Sequence, residues 1–312
     1  MNVRDCTWED SWTHEGVTVV GCRTCGFRHQ YPIISQEVAA QFYGHKYYDD
    51  VKPDYEAIVH EDQAHFELWA DEKREIAEVL LKEGLGALPD EPAVLDIGAS
   101  FGQLLRHFAD RGWRCVGVEP AVGPAEMAAQ LDGVTVHPAL LEDVNTQDLQ
   151  PPFHLVHLGE SLNHLLDPAA TLRRIHDELL APGGVVVVET SNDFNDLQHA
   201  IVDLYDDVPW WIVPDHVSYF DRDSLTQLLE RVGLTVARRG ATFPMELFPL
   251  LGDNYRVDAT LGKQCHRKRI AFELGFQEIE QTDTMRRLYA ALGEAGFGRA
   301  LLFHAVKPVE QG

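Results

Sequence analysis

The chain has 312 residues, 45% of them hydrophobic, with 26 Lys and Arg against 50 Asp and Glu, a formal net charge of −24. This length supports a sizeable core in one large or two modest domains. So much negative charge argues against a nucleic-acid backbone or an anionic membrane as partner, and with no signal peptide or long apolar run a cytoplasmic protein is expected.

Residues 1 to 34 read as a small N-terminal unit. In Cys22-Arg23-Thr24-Cys25-Gly26 two thiolates two residues apart can grip one tetrahedral metal, and Cys6 lies upstream. Val17–Val20 and the run from Phe27 to Ile33 read as strands flanking that turn. Position 9 holds Glu where a second pair would put cysteine. Glu9, His14 or His29 is left to complete a structural zinc site, against a ribbon held by apolar packing alone. The five cysteines are too unevenly spread for a disulfide framework.

Phe42, Tyr43, Tyr47 and Tyr48 form a dense aromatic stretch that either packs the ribbon on the core or covers a ligand. Apolar residues at helical spacing predict a helix over 54–86, closed by Gly84 and Gly86. His60 and His65, five apart, read as surface or packing residues.

The central signal follows. Val94–Ile97 reads as a short buried strand, Gly98–Gly102 as a tight turn and Gln103–Arg111 as a helix. Glu119 closes the next apolar run, 23 positions after Asp96, which is about one βαβ step. A carboxylate at that strand tip can accept hydrogen bonds from two ribose hydroxyls. The order Gly98-x-x-x-Gly102, with Ser100 between, departs from the G-x-G-x-x-G of dinucleotide sites. Asp96 would repel a pyrophosphate and attract a cationic amino-acid end.

On these residues the stretch resembles the class I S-adenosylmethionine-dependent methyltransferases, whose first motif reads D-x-G-x-G-x-G. Ser100 replaces the middle glycine. The resemblance implies an α/β fold with a Rossmann-like, seven-stranded, doubly wound sheet. It further implies that Asp96, Gly98, Ser100, Phe101, Gly102 and Glu119 hold S-adenosylmethionine. The N-terminal segment is similar to the zinc ribbon that precedes some small-molecule and sugar methyltransferases.

Val134–His137 reads as a third strand, and the family pattern then puts an acid near the adenine, here Glu142 or Asp143. Phe153–Leu158 is the fourth strand, so Gly159 and Glu160 should border the methionine end and the substrate. His164, in the H-x-x-D-P segment, reads as a brace of the following turn. The turn Leu180-Ala181-Pro182-Gly183-Gly184 leads into Val185–Glu189, a strand buried on both faces and a second match to the family.

Pro214-Asp215-His216-Val217-Ser218-Tyr219-Phe220 and the capped helix from Asp223 resemble a stretch of the sugar methyltransferases in which the histidine is a general base. That carries over to His216, with Asp215 or Tyr219 orienting it or the substrate. Leu234–Arg238 and Ala300–Val306 can supply the closing antiparallel pair. The roughly sixty residues between them are long for one connection, so a helical lid or homodimer surface is expected. Within them the basic cluster His266–Arg269 either holds an acidic group of a substrate or forms a solvated, acid-paired face.

The expected division is a ribbon-like unit at 1–50, a helical connector at 51–90 and a cofactor-binding core at 91–240. A helical insertion fills 241–298, and the last strand and tail fill 299–312. The expected activity is biosynthetic methylation of an oxygen or carbon on a sugar or specialised metabolite, with no nucleic-acid or membrane partner. The main rival is a non-catalytic S-adenosylmethionine-binding partner subunit.

Overall fold

The computed structural model describes residues 6–51 and 61–309. The start of the helix expected over 54–86, with His60, lies outside the described residues. Strands β1 (Trp8–His14), β2 (Val17–Cys22) and β3 (Phe27–Gln30) come first, then helix α1 (Gln63–Leu85). The next elements are β4 (Ala93–Ile97), α2 (Gln103–Ala109), β5 (Arg114–Val118), α3 (Val122–Ala128), β6 (Val134–His137) and β7 (Phe153–Gly159). After α4 (Pro168–Arg174) come β8 (Leu180–Ser191), α5 (Asp196–Tyr205), β9 (Ser218–Tyr219), α6 (Arg222–Arg231) and β10 (Thr235–Ala241). Helices α7 (Ala259–Glu278) and α8 (Thr282–Ala295) precede β11 (Ala300–Val306).

The large sheet has the order β6-β5-β4-β7-β8-β11-β10. Strands β4 to β8 are parallel, and β11 runs antiparallel to both β8 and β10, as the sequence predicts for the closing pair. Val185 to Val188 are fully buried, so β8 is covered on both faces. Alternate residues split the core into two layers. Leu95, Ile97, Val156, Leu158, Val186 and Val188 pack with Leu172 of α4 and Leu225, Leu228 and Leu229 of α6. Val94, Leu155, Val185 and Val187 pack with α1, α2 and, through Met285 and Tyr289, α8. Each such aliphatic side chain contributes roughly 1.5–3 kcal/mol of transfer free energy.

The N-terminal ribbon is less independent than its composition suggests. Its sheet runs β1-β2-β3-β9, and the fourth strand is lent by the loop that carries His216. Cys22, Cys25 and Phe27 share a core with Phe220 and Leu225. Strand β1 is not foreseen, because Glu9, Asp10 and Ser11 are weak strand formers; it survives as a mostly exposed edge. Helix α5 is also unforeseen, although Asn195 caps it by accepting from the Gln198 N–H.

The segment between β10 and β11 packs against the sheet and α1. Helix α8 lies on β10, and α7 crosses α1. Tyr289 Oη donates to Glu273 at 2.7 Å, and Arg286 pairs with Glu72 and Glu75 of α1.

Candidate functional site

A cleft of about 860 Å³ opens at the carboxyl ends of β4, β5 and β7, where open α/β sheets take their ligands. Gly98, Ser100, Glu119, Glu142, Gly159 and Glu160 line it, together with Tyr43, Tyr47, Tyr48 and His164. Six of the nine residues expected at the cofactor are therefore brought together. Asp143, the other candidate beside Glu142, is outside this lining.

Glu119 sits at the tip of β5, 4% exposed. Its Oε2 accepts from the Ser100 N–H at 2.8 Å and its Oε1 from the Ala121 N–H at 2.8 Å. Burial raises its pKa, the two backbone donors oppose this, and Asp96 adds repulsion. The result is a carboxyl pushed up to about 7. Each oxygen keeps a lone pair for a further donor.

The turn is built by its backbone. Ser100 takes φ +50°, a left-handed conformation, in place of the glycine of the family pattern. Gly102 starts α2 at φ +78°, and a Cβ there would lie 2.8 Å from Ala128 Cβ, so its smallness lets α2 approach α3. Phe101 is not part of the cleft lining; its ring meets Tyr48 edge-on at 5.5 Å.

Asp96 also stands one layer back. It is 3% exposed, and its Oδ1 is 2.7 Å from His157 Nδ1 on the neighbouring strand. Gly159 makes room for that ring, since a Cβ at 159 would come 2.4 Å from His157 Cε1. Behind them Lys73 pairs with Glu189 at 2.6 Å.

The loop carrying His216 meets the cleft through His164. His164 Nδ1 and Tyr43 Oη each lie 2.7 Å from the Asp215 carbonyl oxygen, so both brace that loop. Burial raises the pKa of Tyr43 well above the ordinary phenol value, keeping it a neutral donor. The His164 and His216 rings are 5.2 Å apart. The Tyr219 ring lies 5.8 Å from that of His216, but its hydroxyl is engaged with the backbone. Tyr219 is 1% exposed, and its hydroxyl donates to the Val213 carbonyl at 3.0 Å and accepts from the Val213 N–H at 3.2 Å. A carboxylate the sequence reading did not name, Asp193, stands 3.3 Å from His216 Nδ1, while an Asp215 carboxylate oxygen also lies within 4.8 Å of a His216 ring nitrogen. Asp193 escapes sequence reading because it follows β8 in an irregular stretch and resembles a solvated loop acid.

Among the described residues two groups bring metal-capable atoms within 4.8 Å of one another: Cys6, Cys22, Cys25 and His29, and His164, Asp215 and His216. In the first group Cys6 Sγ lies 3.7 Å from Cys25 Sγ and 3.6 Å from His29 Nε2. A tetrahedral zinc with ordinary bond lengths sets these edges at about 3.8 and about 3.6 Å. His29 Nδ1 lies 2.7 Å from the Gln30 carbonyl, which turns Nε2 toward the thiols. The Cys25 N–H donates to Cys22 Sγ. Burial raises the Cys22 thiol, but the bonds from Cys25, His29 and Cys6 outweigh it and bring it to about 6. Of the three candidates for a fourth ligand, His29 is the one in place. Glu9 pairs with Arg23, and His14 lies at the far end of β1.

The basic cluster on α7 has acids of its own. His266 Nε2 is 2.7 Å from Asp62, and Lys268 Nζ is 2.9 Å from Asp253.

The methyltransferase-domain family profile matches residues 66–238. Among solved structures, the plantazolicin methyltransferase BpumL in complex with SAH is 13% identical, aligned over 86% of this chain and 94% of its own, with a TM-score of 0.52. The plantazolicin methyltransferase BamL, in complex with a triazolic desmethylPZN analog and SAH, is 12% identical over 86% and 94%, with a TM-score of 0.53. At such identities the likeness is one of fold. No curated protein matches the sequence. With its profile match across more than half of the chain and this seven-stranded sheet, the protein belongs to the methyltransferase-domain family and is an enzyme with the fold of the class I S-adenosylmethionine-dependent methyltransferases.

Proposed function

We propose that the protein transfers the methyl group of S-adenosylmethionine to an oxygen or carbon of a small molecule, with His216 as general base. The observation that carries this reading is Glu119. It is a buried carboxylate held by two backbone N–H groups, and it faces a cleft lined by Tyr43 and His164, both of which contact the His216 loop at the Asp215 carbonyl. In this reading Glu119 holds the ribose hydroxyls and Glu142 the adenine edge. Gly98, Ser100, Gly159 and Glu160 surround the methionine end, and Asp96 supports the turn from behind. Tyr43, Tyr47 and Tyr48 exclude water from the cleft.

When bound, the cofactor supplies a methyl group already activated on a sulfonium. The chain's own contribution is then to position the acceptor and remove its proton. His216 takes that proton on the ring nitrogen not facing Asp193. Tyr219 acts only as a structural residue that holds the loop. The paired cations of α7 lend no support to a phosphate or carboxylate on the acceptor. The Cys6, Cys22, Cys25 and His29 set fits one structural zinc, because all four ligand positions are filled by protein.

Calorimetry with S-adenosylmethionine, its demethylated product and NADH tests the cofactor. Binding of the first two, lost in Glu119→Ala, supports the reading; binding of NADH alone would overturn it. An acceptor screen with His216→Ala as control tests the base. Cofactor binding without turnover on any acceptor would favour a non-catalytic partner subunit.

A further inference from the structure

We infer that Asp193 is the positioning residue of His216, holding the imidazole with its hydrogen on Nδ1 and its lone pair on Nε2. This rests on His216 as the base of the proposed reaction.

Asp193 Oδ2 and His216 Nδ1 are 3.3 Å apart, their side chains 1% and 15% exposed. Both atoms are buried, and neither makes an aligned hydrogen bond among the described residues, to each other or to any third group. A buried carboxylate oxygen and a buried ring nitrogen left unpaired each cost free energy, and at 3.3 Å a small turn of the imidazole that aims an Nδ1 hydrogen at Oδ2 satisfies both. The backbone holds them in place: the Asp193 N–H donates to the Phe220 carbonyl at 3.2 Å, and Asn192 bridges Phe220.

The other carboxylate oxygen is already engaged. Gln198 Nε2 donates to Oδ1 at 3.3 Å, and Arg299 stands 3.9 Å from it. Arg299 in turn stands 3.7 Å from Glu246, which is 1% exposed. His216 also neighbours the His164 ring, 5.2 Å away, the Tyr219 ring, 5.8 Å away, and Asp215, whose carboxylate lies within 4.8 Å of one of its ring nitrogens. Among these neighbours Asp193 is the acceptor placed at Nδ1.

The direction of the Gln198 bond makes a sharp test. In Asp193→Asn the amide oxygen stays on Gln198, and the NH₂ takes the place of Oδ2. Nδ1 must then accept, which moves the hydrogen to Nε2 and removes the basic lone pair. The readout is the ¹⁵N chemical shift of the His216 ring in ¹⁵N-histidine-labelled full-length protein at pH 8, assigned with His216→Gln. The Nδ1–H form is expected to dominate in the unmodified protein. Asp193→Asn should shift the tautomer ratio at least tenfold toward Nε2–H, and Asp193→Ala should give a mixture. A dominant Nε2–H form in the unmodified protein, or a ratio unmoved by both variants, overturns the inference with no need for a folded variant in the first case. Full methyl transfer by His216→Ala would overturn the base reading, and the positioning role with it, whatever the tautomer.

Discussion

His29 and Ser218 are register partners across β3 and β9, so a metal-capable ligand is paired with the strand that begins two residues after His216. The neighbouring residue adds to this tie. The Gln30 N–H donates to the Val217 carbonyl at 2.9 Å, and its side chain donates to the carbonyls of Val213 and Pro214 at 3.2 and 3.0 Å. The ribbon therefore grips the loop on both sides of His216. Glu119 itself, at the tip of β5, is held by the Ser100 and Ala121 N–H groups and takes no part in this contact.

Loosening the ribbon should therefore disturb the base more than the cofactor. In His29→Ala one zinc per chain should be lost, and amide exchange over 213–220 should speed up about tenfold or more. Cofactor affinity should change by less than about threefold, since the Glu119 donors are backbone groups of the large domain. Elemental analysis, hydrogen exchange and calorimetry measure the three quantities. Unchanged exchange at 213–220 after zinc loss would show that the ribbon does not hold the loop.

How much of this was legible in the sequence depends on the range of the interaction. The strands from Val94 to Glu189 and the closing antiparallel pair show in local apolar runs, and the turn from Gly98 to Gly102 announces itself by glycine spacing. The partners of the buried acids do not. Asp96 reads as a cofactor ligand because its position in the motif says so, yet its nearest partner, His157, is sixty-one positions away on β7. Asp193 reads as a loop acid until α5 and the His216 loop close over it. The fourth thiol-site ligand stays open among three candidates until β3 fixes which way His29 points. Strand β1 is invisible because pairing, not propensity, makes it extended.

Glu119 should make cofactor binding depend on pH near neutrality. Its folded-state value, about 7, lies above the ordinary 4.5, so between those values the folded chain keeps a proton that the unfolded chain loses. That protonated form accepts poorly from a ribose diol. Affinity for S-adenosylmethionine should thus rise about tenfold from pH 6 to pH 8 and level off above, as the ionised fraction does. For stability the sign is opposite: this group favours folding most below pH 4.5, and its contribution falls as pH rises toward 7. Calorimetric titration at several pH values checks the first statement, with Glu119→Ala as a flat, weak control.

Ser100 pays for its left-handed φ of +50° with steric strain that glycine would not feel. Its backbone N–H, not its side chain, is what holds Glu119. Ser100→Gly should therefore raise stability by about 0.5–1 kcal/mol, after the added flexibility of the unfolded chain is subtracted. Cofactor affinity should be preserved or improved. Urea unfolding reads the first, and a loss of stability would mean that the buried Ser100 hydroxyl makes a contact worth more than the strain.

The last prediction concerns the acid behind the turn. Asp96 and His157 face each other in register across β4 and β7, both nearly inaccessible, 2.7 Å apart. Removing one member of a buried pair leaves the other uncompensated, which costs about 3–5 kcal/mol, whereas removing both leaves no orphan charge. His157→Phe should be strongly destabilising, by this amount. Phenylalanine at 157 keeps most of the ring volume, so the loss reads the electrostatics and not a cavity. In an Asp96→Asn background the same substitution should cost less than half as much, because an amide tolerates the apolar neighbour better than a carboxylate does. Urea unfolding of the four proteins gives the coupling directly. Additive losses would mean that the Asp96 charge is compensated through the turn's backbone N–H groups, and would return Asp96 to the role of a direct cofactor ligand.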